Sequence, residues 1–196
     1  LFYKDLPIIA KVLEPLIHRQ LKISLLKGRG NYVCLYRFEK ACDEGWYDEQ
    51  TQIDLQAIKG TLRQTEFADK AEFTQLKEQS PVWPVVTSTG DNCLGGACPP
   101  HDECYVLKAR EQAVDADIVI VNHHLLMADI KLKKDALGEL LPSVSAYIID
   151  EAHQLPDIAS RFFSRQISTR QIKELLKDIR RNLSQTSRKQ FEPLNK

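Results

Sequence analysis

A short apolar run that ends in acidic residues constrains this fold more than any other stretch of the chain. Residues 146–149 read Ala-Tyr-Ile-Ile, and Asp150, Glu151 and His153 follow at once. An apolar, β-branched run of this length predicts a buried parallel strand. Ligands of open α/β sheets bind just beyond the carboxyl ends of such strands. The sequence therefore predicts a binding site at the two carboxylates. The simpler, competing interpretation is a solvated strand end followed by the acidic start of a helix.

Two adjacent carboxylates at such a position suit a nucleotide that carries Mg²⁺. A hard cation needs few protein ligands, often one or two carboxylates together with phosphate oxygens. We expect Asp150 to hold the Mg²⁺ of a bound nucleotide and Glu151 to polarise the attacking water. Without such a motif, we would expect His153 only to lie at the surface or to be half-buried.

Two further runs predict neighbours for this strand. Residues 116–122 are apolar and β-branched, and residues 22–26 alternate weakly, as strands do. Residues 87–100 are rich in Gly and Pro and predict irregular backbone. Apolar spacing and capping residues predict helices over residues 5–20, 35–42, 53–60, 67–78, 101–113, 125–137 and 154–163, and again after Ser168 or Thr169. The predicted fold class is α/β.

Charge and hydropathy limit the partners that fit. Lys and Arg balance Asp and Glu at 27 each, but residues 1–40 and 121–196 are basic and residues 41–120 acidic. Basic ends favour contacts with phosphates. No apolar run approaches the ~20 residues of a membrane span and no signal peptide opens the chain, so we expect no membrane partner. The chain begins at Leu1 and its only methionine is Met127, which predicts a fragment of a longer protein.

The five cysteines predict a metal centre rather than disulfides. Their number is odd, and clustered cysteines in an intracellular protein more often bind metal. Cys93, Cys98 and Cys104 lie within twelve residues in a loop rich in Gly and Pro, and Cys34 lies far upstream. A zinc site, buried free thiols and a four-iron cluster are the competing interpretations.

Each interpretation makes a different demand on the residues. Zinc favours a Cys-x-x-Cys knuckle or His partners; no such knuckle exists here, although His101 and His123 allow a Cys₃His site. Burial of a free thiol is the ordinary explanation for a lone cysteine and suits Cys42. A four-iron cluster takes thiolates from several directions, which a loop that bends can present.

The motifs together resemble a known family. They occur in the order Tyr32-Val33-Cys34, Cys93-x₄-Cys98-x₅-Cys104, Val-Asn-His-His-Leu-Leu at residues 121–126, and Asp150-Glu151-Ala152-His153. This order is similar to that of the iron–sulfur helicases of superfamily 2, the XPD/Rad3-like group, and especially its bacterial DinG/YoaA-like branch. The last motif resembles the DEAH form of the Walker B box, whose histidine couples nucleotide state to nucleic-acid binding.

The resemblance implies a domain order and a ligand set. A partial RecA-like parallel sheet in residues 1–30 and 114–160 would be interrupted by a mostly helical iron–sulfur cluster domain in residues 31–113. A helical arch domain would begin in residues 161–196. The ligands of a [4Fe–4S] cluster would be Cys34, Cys93, Cys98 and Cys104, with Cys42 outside the set. Because residues 31–113 show little apolar pattern, we expect their folding to depend on the metal.

The resemblance also implies an activity. The full-length protein would be an ATP-dependent DNA helicase that moves 5′ to 3′ along single-stranded DNA in repair or replication. Its catalytic motif would be Asp150, Glu151 and His153, with Mg²⁺ and ATP as cofactors besides the cluster. It would act in the bacterial cytoplasm at the nucleoid, on single-stranded or forked DNA, with replication or repair proteins as further partners.

Residues around the first cysteine are candidates for DNA binding. Cationic side chains that flank it are expected to contact phosphates, and nearby aromatic rings can stack on bases. The cations are Lys27, Arg29, Arg37 and Lys40, and the rings are Tyr32, Tyr36 and Trp46. A solvated basic face with the aromatic residues in the core is the competing interpretation.

The chain departs from the family pattern in two respects. It contains no G-x-x-x-x-G-K-[ST] loop to cradle phosphates, and no second motor domain with its arginine fingers. We therefore expect the full-length protein to hydrolyse ATP and this chain alone not to. The alternative function is a non-catalytic metal-binding module, with an iron–sulfur cluster or zinc, that recruits nucleic acid or a replication partner.

Overall fold

The computed structural model describes residues 5–45, 47–164, 169 and 172–176, in two units, Leu1–Ile158 and Ala159–Lys196. The helices are α1 (Asp5–Ile17), α2 (Leu35–Glu44), α3 (Glu49–Leu62), α4 (Trp83–Val86), α5 (Tyr105–Val114), α6 (His123–Lys134) and α7 (Leu155–Phe163). The strands are β1 (Ile23–Leu25) and β2 (Ile118–Ile120). Single 3-10 turns cover Arg29–Asn31, Lys70–Glu72, Gly95–Ala97, His101–Glu103 and Ala152–Gln154. The described chain mixes helix and sheet, which is compatible with the predicted α/β class.

The sheet of the described residues consists of β1 and β2, which pair in parallel with Ile23 opposite Ile118. Arg19 precedes β1 and Asp117 precedes β2, and the two side chains form a salt bridge. Its two contacts are 2.5 Å (Nη1 to Oδ2) and 2.6 Å (Nη2 to Oδ1). Asp117 also accepts the Lys22 backbone N–H at 3.0 Å. Both strands form where predicted, but β1 buries only its middle residue and β2 is half-buried throughout.

Helix α1 forms as its apolar spacing predicts, with Asp5 as its first residue. Leu6 is its only buried residue. The remaining apolar side chains of the helix are exposed, namely Ile8, Ile9, Val12, Leu13, Leu16 and Ile17. The periodicity therefore predicted the helix correctly, while the side chains that define it remain in water.

Residues 31–113 contain a hydrophobic core of their own, which their weak pattern did not predict. Its members include Tyr32, Val33, Phe38, Ala41, Leu55, Ile58, Ala68, Phe73, Val82, Trp83 and Val86. The rings of Phe73 and Trp83 meet edge to face with 5.7 Å between their centroids. Helix α2 packs against α4 in this region. The region therefore buries more apolar side chains than its sequence pattern indicated, and the dependence of its folding on a metal stays a prediction.

The helix predicted over residues 67–78 does not form. Ala68 takes a left-handed conformation (φ 48°), and its N–H is held by the Thr65 hydroxyl at 2.7 Å. Asp69 and Glu72 then make a capping box around one 3-10 turn. These side-chain bonds to the backbone compete successfully with a helix.

The strand predicted over residues 146–149 does not form either. The segment is irregular, and Ile148 is 99% exposed. A strand persists only when a neighbour satisfies its backbone groups, and within the described sheet β1 and β2 pair only with each other. The prediction of a buried parallel strand is therefore wrong for this chain, because apolar pattern alone supplies no partner strand.

A buried carboxylate on α6 anchors the segment that leads toward the acidic motif. Asp129 accepts the backbone N–H groups of Leu140 at 2.7 Å and Leu141 at 3.0 Å. Lys133, one turn further along α6, pairs with the same carboxylate at 2.9 Å. The hydrogen bonds and the ion pair hold the pKa of Asp129 below its usual value, although burial acts in the opposite direction.

The predicted helix after the acidic motif forms as α7, directly behind the 3-10 turn Ala152–Gln154. Beyond Ser164 the described residues are Thr169 and residues 172–176, all helical. The rest of the predicted arch segment, with Ser168, Ile179 and Leu183, lies outside the described residues. Among the helices of the described chain, none is both long and apolar enough to cross a membrane.

Candidate metal centre and nucleotide motif

The four cysteines that the family resemblance implies as ligands line one cavity. Cys34, Cys93, Cys98 and Cys104 border a space of roughly 230 Å³. The fifth, Cys42, lies on α2 and is exposed. The structure thus separates the same four thiols from the fifth that the sequence interpretation separated.

Two of the four cysteines stand at helix starts. Cys34 is the N-cap residue of α2 and Cys104 that of α5, and neither side chain caps its own helix. The exposed N–H groups of a helix start favour negative charge nearby. Sequence analysis did not identify this arrangement: Cys34 directly precedes a predicted helical stretch, whereas Cys104 lies inside the helix predicted over residues 101–113.

The other two cysteines flank a tight turn in the Gly-rich loop. The 3-10 turn Gly95–Ala97 lies between Cys93 and Cys98, and Gly95 has a positive φ of 56° that a side chain would disfavour. The Gly95 N–H points at the Cys93 sulfur, 3.5 Å away. The loop therefore turns one backbone donor toward a cysteine sulfur.

The thiols influence one another's ionisation. Burial raises the pKa of Cys34; the Arg37 backbone N–H lowers it, and Cys104 and Cys93 raise it again. Burial also raises the pKa of Cys98, with further increases from Cys34, Cys104 and Cys93. Four thiolates gathered here would repel each other, so a bound cation or cationic cluster is what makes the ionised set favourable.

Two arginines complete the lining of the cavity. Arg29 was predicted as a phosphate contact but faces the cysteines, and Arg110 on α5 lies beside them. Burial lowers the pKa of the Arg110 guanidinium, as does Arg29, whereas Cys104 and Cys93 raise it. Sequence analysis missed Arg110; the signal that finds it is its place on the helix that begins at Cys104.

The thiols of the cavity are not grouped around a single point. Among the described residues no three His, Cys, Asp or Glu side chains are close enough together to hold one metal ion. This counts against the Cys₃His zinc site, although His101 lines the cavity. In a four-iron cluster each thiolate binds a different iron, so the sulfurs need not converge on one point.

Most of the candidate DNA-binding residues are engaged within the protein. Lys27 pairs with Asp69 at 2.5 Å, and the Arg37 guanidinium donates to two backbone carbonyls. Lys40 remains largely exposed, 4.0 Å from Glu44. Of the candidate stacking rings, Tyr32 is buried, Tyr36 lines the cavity, and Trp46 lies outside the described residues.

The acidic motif is exposed at the start of the turn before α7. Asp150 accepts the Glu151 N–H at 2.9 Å, and Glu151 has a positive φ of 49°. The Nδ1 atom of His153 lies 3.2 Å from the Glu151 carboxylate. Both carboxylates present oxygens to solvent, where a hard cation and a water molecule can reach them.

Comparison with known proteins agrees with the motif order. The DEAD_2 family model matches residues 11–172. The chain is 45% identical over 180 residues to ATP-dependent DNA helicase YoaA of Escherichia coli (strain K12), a match that covers 91% of this chain and 28% of that protein. YoaA of Haemophilus influenzae is 44% identical over 180 residues, with the same two coverages of 91% and 28%. ATP-dependent DNA helicase DinG of Photobacterium profundum is 33% identical over 178 residues, covering 84% of this chain and 24% of that protein.

The chain thus spans about 28% of the length of the YoaA relatives it matches. The family match covers most of the chain, including all four cavity cysteines and the acidic motif. On this basis the chain belongs to the DEAD_2 family and is similar to part of the proteins YoaA and DinG.

Proposed function

We propose that this chain supplies an iron–sulfur domain and a nucleotide motif to an ATP-dependent DNA helicase that moves 5′ to 3′ along single-stranded DNA. The observation that carries the proposal is the convergence of Cys34, Cys93, Cys98 and Cys104 on one cavity. The names of the relatives support the helicase activity. The substrate would be single-stranded or forked DNA in bacterial repair or replication, at the nucleoid and together with replication or repair proteins.

The proposed domain order follows the family. Residues 1–30 and 114–160 would belong to a RecA-like motor domain, residues 31–113 to the cluster domain, and residues 161–196 to the start of an arch domain. The parallel pairing of β1 with β2 supports the first assignment. In such a motor, further strands from the rest of the protein would flank residues 146–149 and complete the sheet.

Different residues of the cavity would bind the [4Fe–4S] cluster and balance its charge. Cys34 and Cys104 would bind from two helix starts, and Cys93 and Cys98 from the loop. Arg29 and Arg110 would offset the negative charge of the thiolates. When bound, the cluster supplies a structural brace that ties the loop to both helices.

The acidic motif would act on ATP. Asp150 would hold the Mg²⁺ that neutralises developing phosphoryl charge. Glu151 would orient the attacking water in line with the γ-phosphate. His153, in contact with the Glu151 carboxylate, would pass the nucleotide state toward the DNA-binding surface.

The cluster is tested by exchanging one cavity cysteine and the cysteine outside the cavity. In the full-length protein, purified without oxygen, Cys98→Ser should lose iron and acid-labile sulfide, because one thiolate is withdrawn. Cys42→Ser should keep both, since Cys42 lies outside the cavity. Iron and sulfide analysis with visible absorbance measures the difference. Zinc without sulfide in the wild type would instead support the metal-binding module, and unchanged iron in Cys98→Ser would remove Cys98 from the ligands.

The ATPase assignment is tested at the motif. In the full-length protein Glu151→Gln should lower DNA-stimulated ATP turnover about 10²–10⁴-fold, the contribution of a positioned general base. ATP binding should persist, because Asp150 is intact. Asp157→Asn, a few residues further along in α7, is the matched control and should turn over ATP normally. Normal turnover in Glu151→Gln would show that the motif does not act on ATP.

A further inference from the structure

The Arg37 side chain lies across the end of a neighbouring helix. Its Nε atom donates to the Val85 carbonyl and its Nη2 atom to the Pro84 carbonyl, each at 3.0 Å. Both carbonyls belong to α4, a helix of four residues. The last carbonyls of a helix have no partner within it, and a cation near them is favourable. Arg37 therefore satisfies groups that the short helix leaves open.

The next carbonyl of α4, that of Val86, accepts a hydrogen bond from Cys34. The backbone N–H of Cys34 donates to the Val86 carbonyl at 2.7 Å. Three successive carbonyls, those of residues 84–86, are thus bound by the first turn of α2 and the residue that caps it.

This arrangement leaves Arg37 poorly placed to bind DNA. The Nε–Nη2 edge is one of the edges with which a guanidinium grips a phosphate through two hydrogen bonds, and here both atoms are engaged with carbonyls. Lys40, one turn further along α2, has no such bonds and stays exposed. The two cations of one helix therefore have different environments.

We infer that Arg37 is a positioning residue for the cysteine cavity: by clamping α2 to the carbonyls of α4, it fixes the Cys34 sulfur toward the cluster. The inference rests on the proposed function, since it assumes that Cys34 is a cluster ligand. It replaces the expectation that Arg37 contacts phosphates.

The test compares variants of the full-length protein, purified without oxygen. Arg37→Ala and Arg37→Lys should both release iron to an excess of ferrous chelator about tenfold faster than the wild type, the effect of losing a charge-assisted hydrogen bond. Lysine should not restore the wild-type rate, because a point charge cannot make both directed bonds. Lys40→Ala, from the same helix, should release iron at the wild-type rate.

Two further readouts separate positioning from general stability and from DNA contact. Ile58→Ala removes a buried side chain of the same region that does not line the cavity. It should lower Tm without changing the electron paramagnetic resonance line shape of the reduced cluster, whereas both Arg37 variants should change that line shape. The dependence of single-stranded DNA affinity on salt should keep its slope in both Arg37 variants, while loss of one phosphate contact would reduce it by about 0.7.

The outcomes are distinct. Iron release and line shape equal to the wild type in both Arg37 variants would overturn the inference, and so would a reduced salt slope in Arg37→Ala that lysine restores. If Arg37→Ala does not fold, Arg37→Lys alone decides by the same measurements. Absence of iron and sulfide from the wild type would instead overturn the proposed function.

Discussion

The region around the cysteines and the segments on either side of it bury apolar side chains to very different extents. Between residues 31 and 113, residues from α2, α3, α4 and the loops between them fill one core, with Ile58 at 0% exposure. In α1 and in residues 146–149 the apolar residues lie in water. Yet the flanking segments carry the stronger sequence patterns.

The difference separates two properties that sequence pattern tends to merge. A periodic apolar face predicts that a segment packs its apolar side against other residues. It does not identify the residues against which that side packs. The residues near the cysteines lack periodicity because their core is made from turns and short helices, where neither period applies. In α1 and in residues 146–149 strong pattern marks mostly exposed side chains, and in residues 31–113 weak pattern marks a region with many buried ones.

The largest expected effect that tests this comparison comes from replacing one isoleucine in each of the two regions with alanine. In this 196-residue chain, Ile58→Ala should lower the free energy of unfolding by about 2–5 kcal/mol, the cost of a cavity in a packed core. Ile148→Ala should change it by less than about 0.5 kcal/mol, because that side chain is already in water. Urea unfolding followed by tryptophan fluorescence measures both. A loss of similar size in Ile148→Ala would mean that residues 146–149 are covered in solution.

A smaller effect concerns the ion pair that joins the two strands. The hydrogen bond from Arg19 lowers the pKa of Asp117 to about 2 from its usual 3.8. A carboxyl whose pKa is depressed by folding contributes stability above its unfolded pKa and loses that contribution as the pH falls through the folded pKa. Stability should therefore decline between about pH 4 and 2 more steeply in the wild type than in Asp117→Asn. Both groups are exposed, so the difference should be small, and identical pH profiles would show that the pair contributes nothing.

Local pattern predicted much of the fold. The spacing of apolar residues located α1, α2, α3, α6 and α7, and the two β-branched runs located β1 and β2. The failures arose where the outcome depends on partners. The 67–78 helix yields to side-chain bonds from Thr65 and Glu72, and the 146–149 strand lacks a neighbour within the described sheet.

The cysteines of the candidate site could be predicted from the sequence, whereas the charged residues around them could not. Cysteine spacing grouped Cys93, Cys98 and Cys104, and the family resemblance added Cys34 and left Cys42 out, which agrees with the lining of the cavity. The roles of nearby cations were not readable, because Arg29 and Arg37 look alike in sequence while one faces the sulfurs and the other binds carbonyls. Only the three-dimensional path of the chain brings Arg110 to the same cavity.

Helix α5 gives the cavity a direct physical connection to the sheet. It begins at Tyr105, directly after Cys104, contacts β1, and is followed closely by β2. A ten-residue helix is a rod roughly 15 Å long, and it changes length far less readily than a loop does. A displacement of Cys104 along the axis of α5 would therefore be passed on to β1 rather than absorbed within the helix.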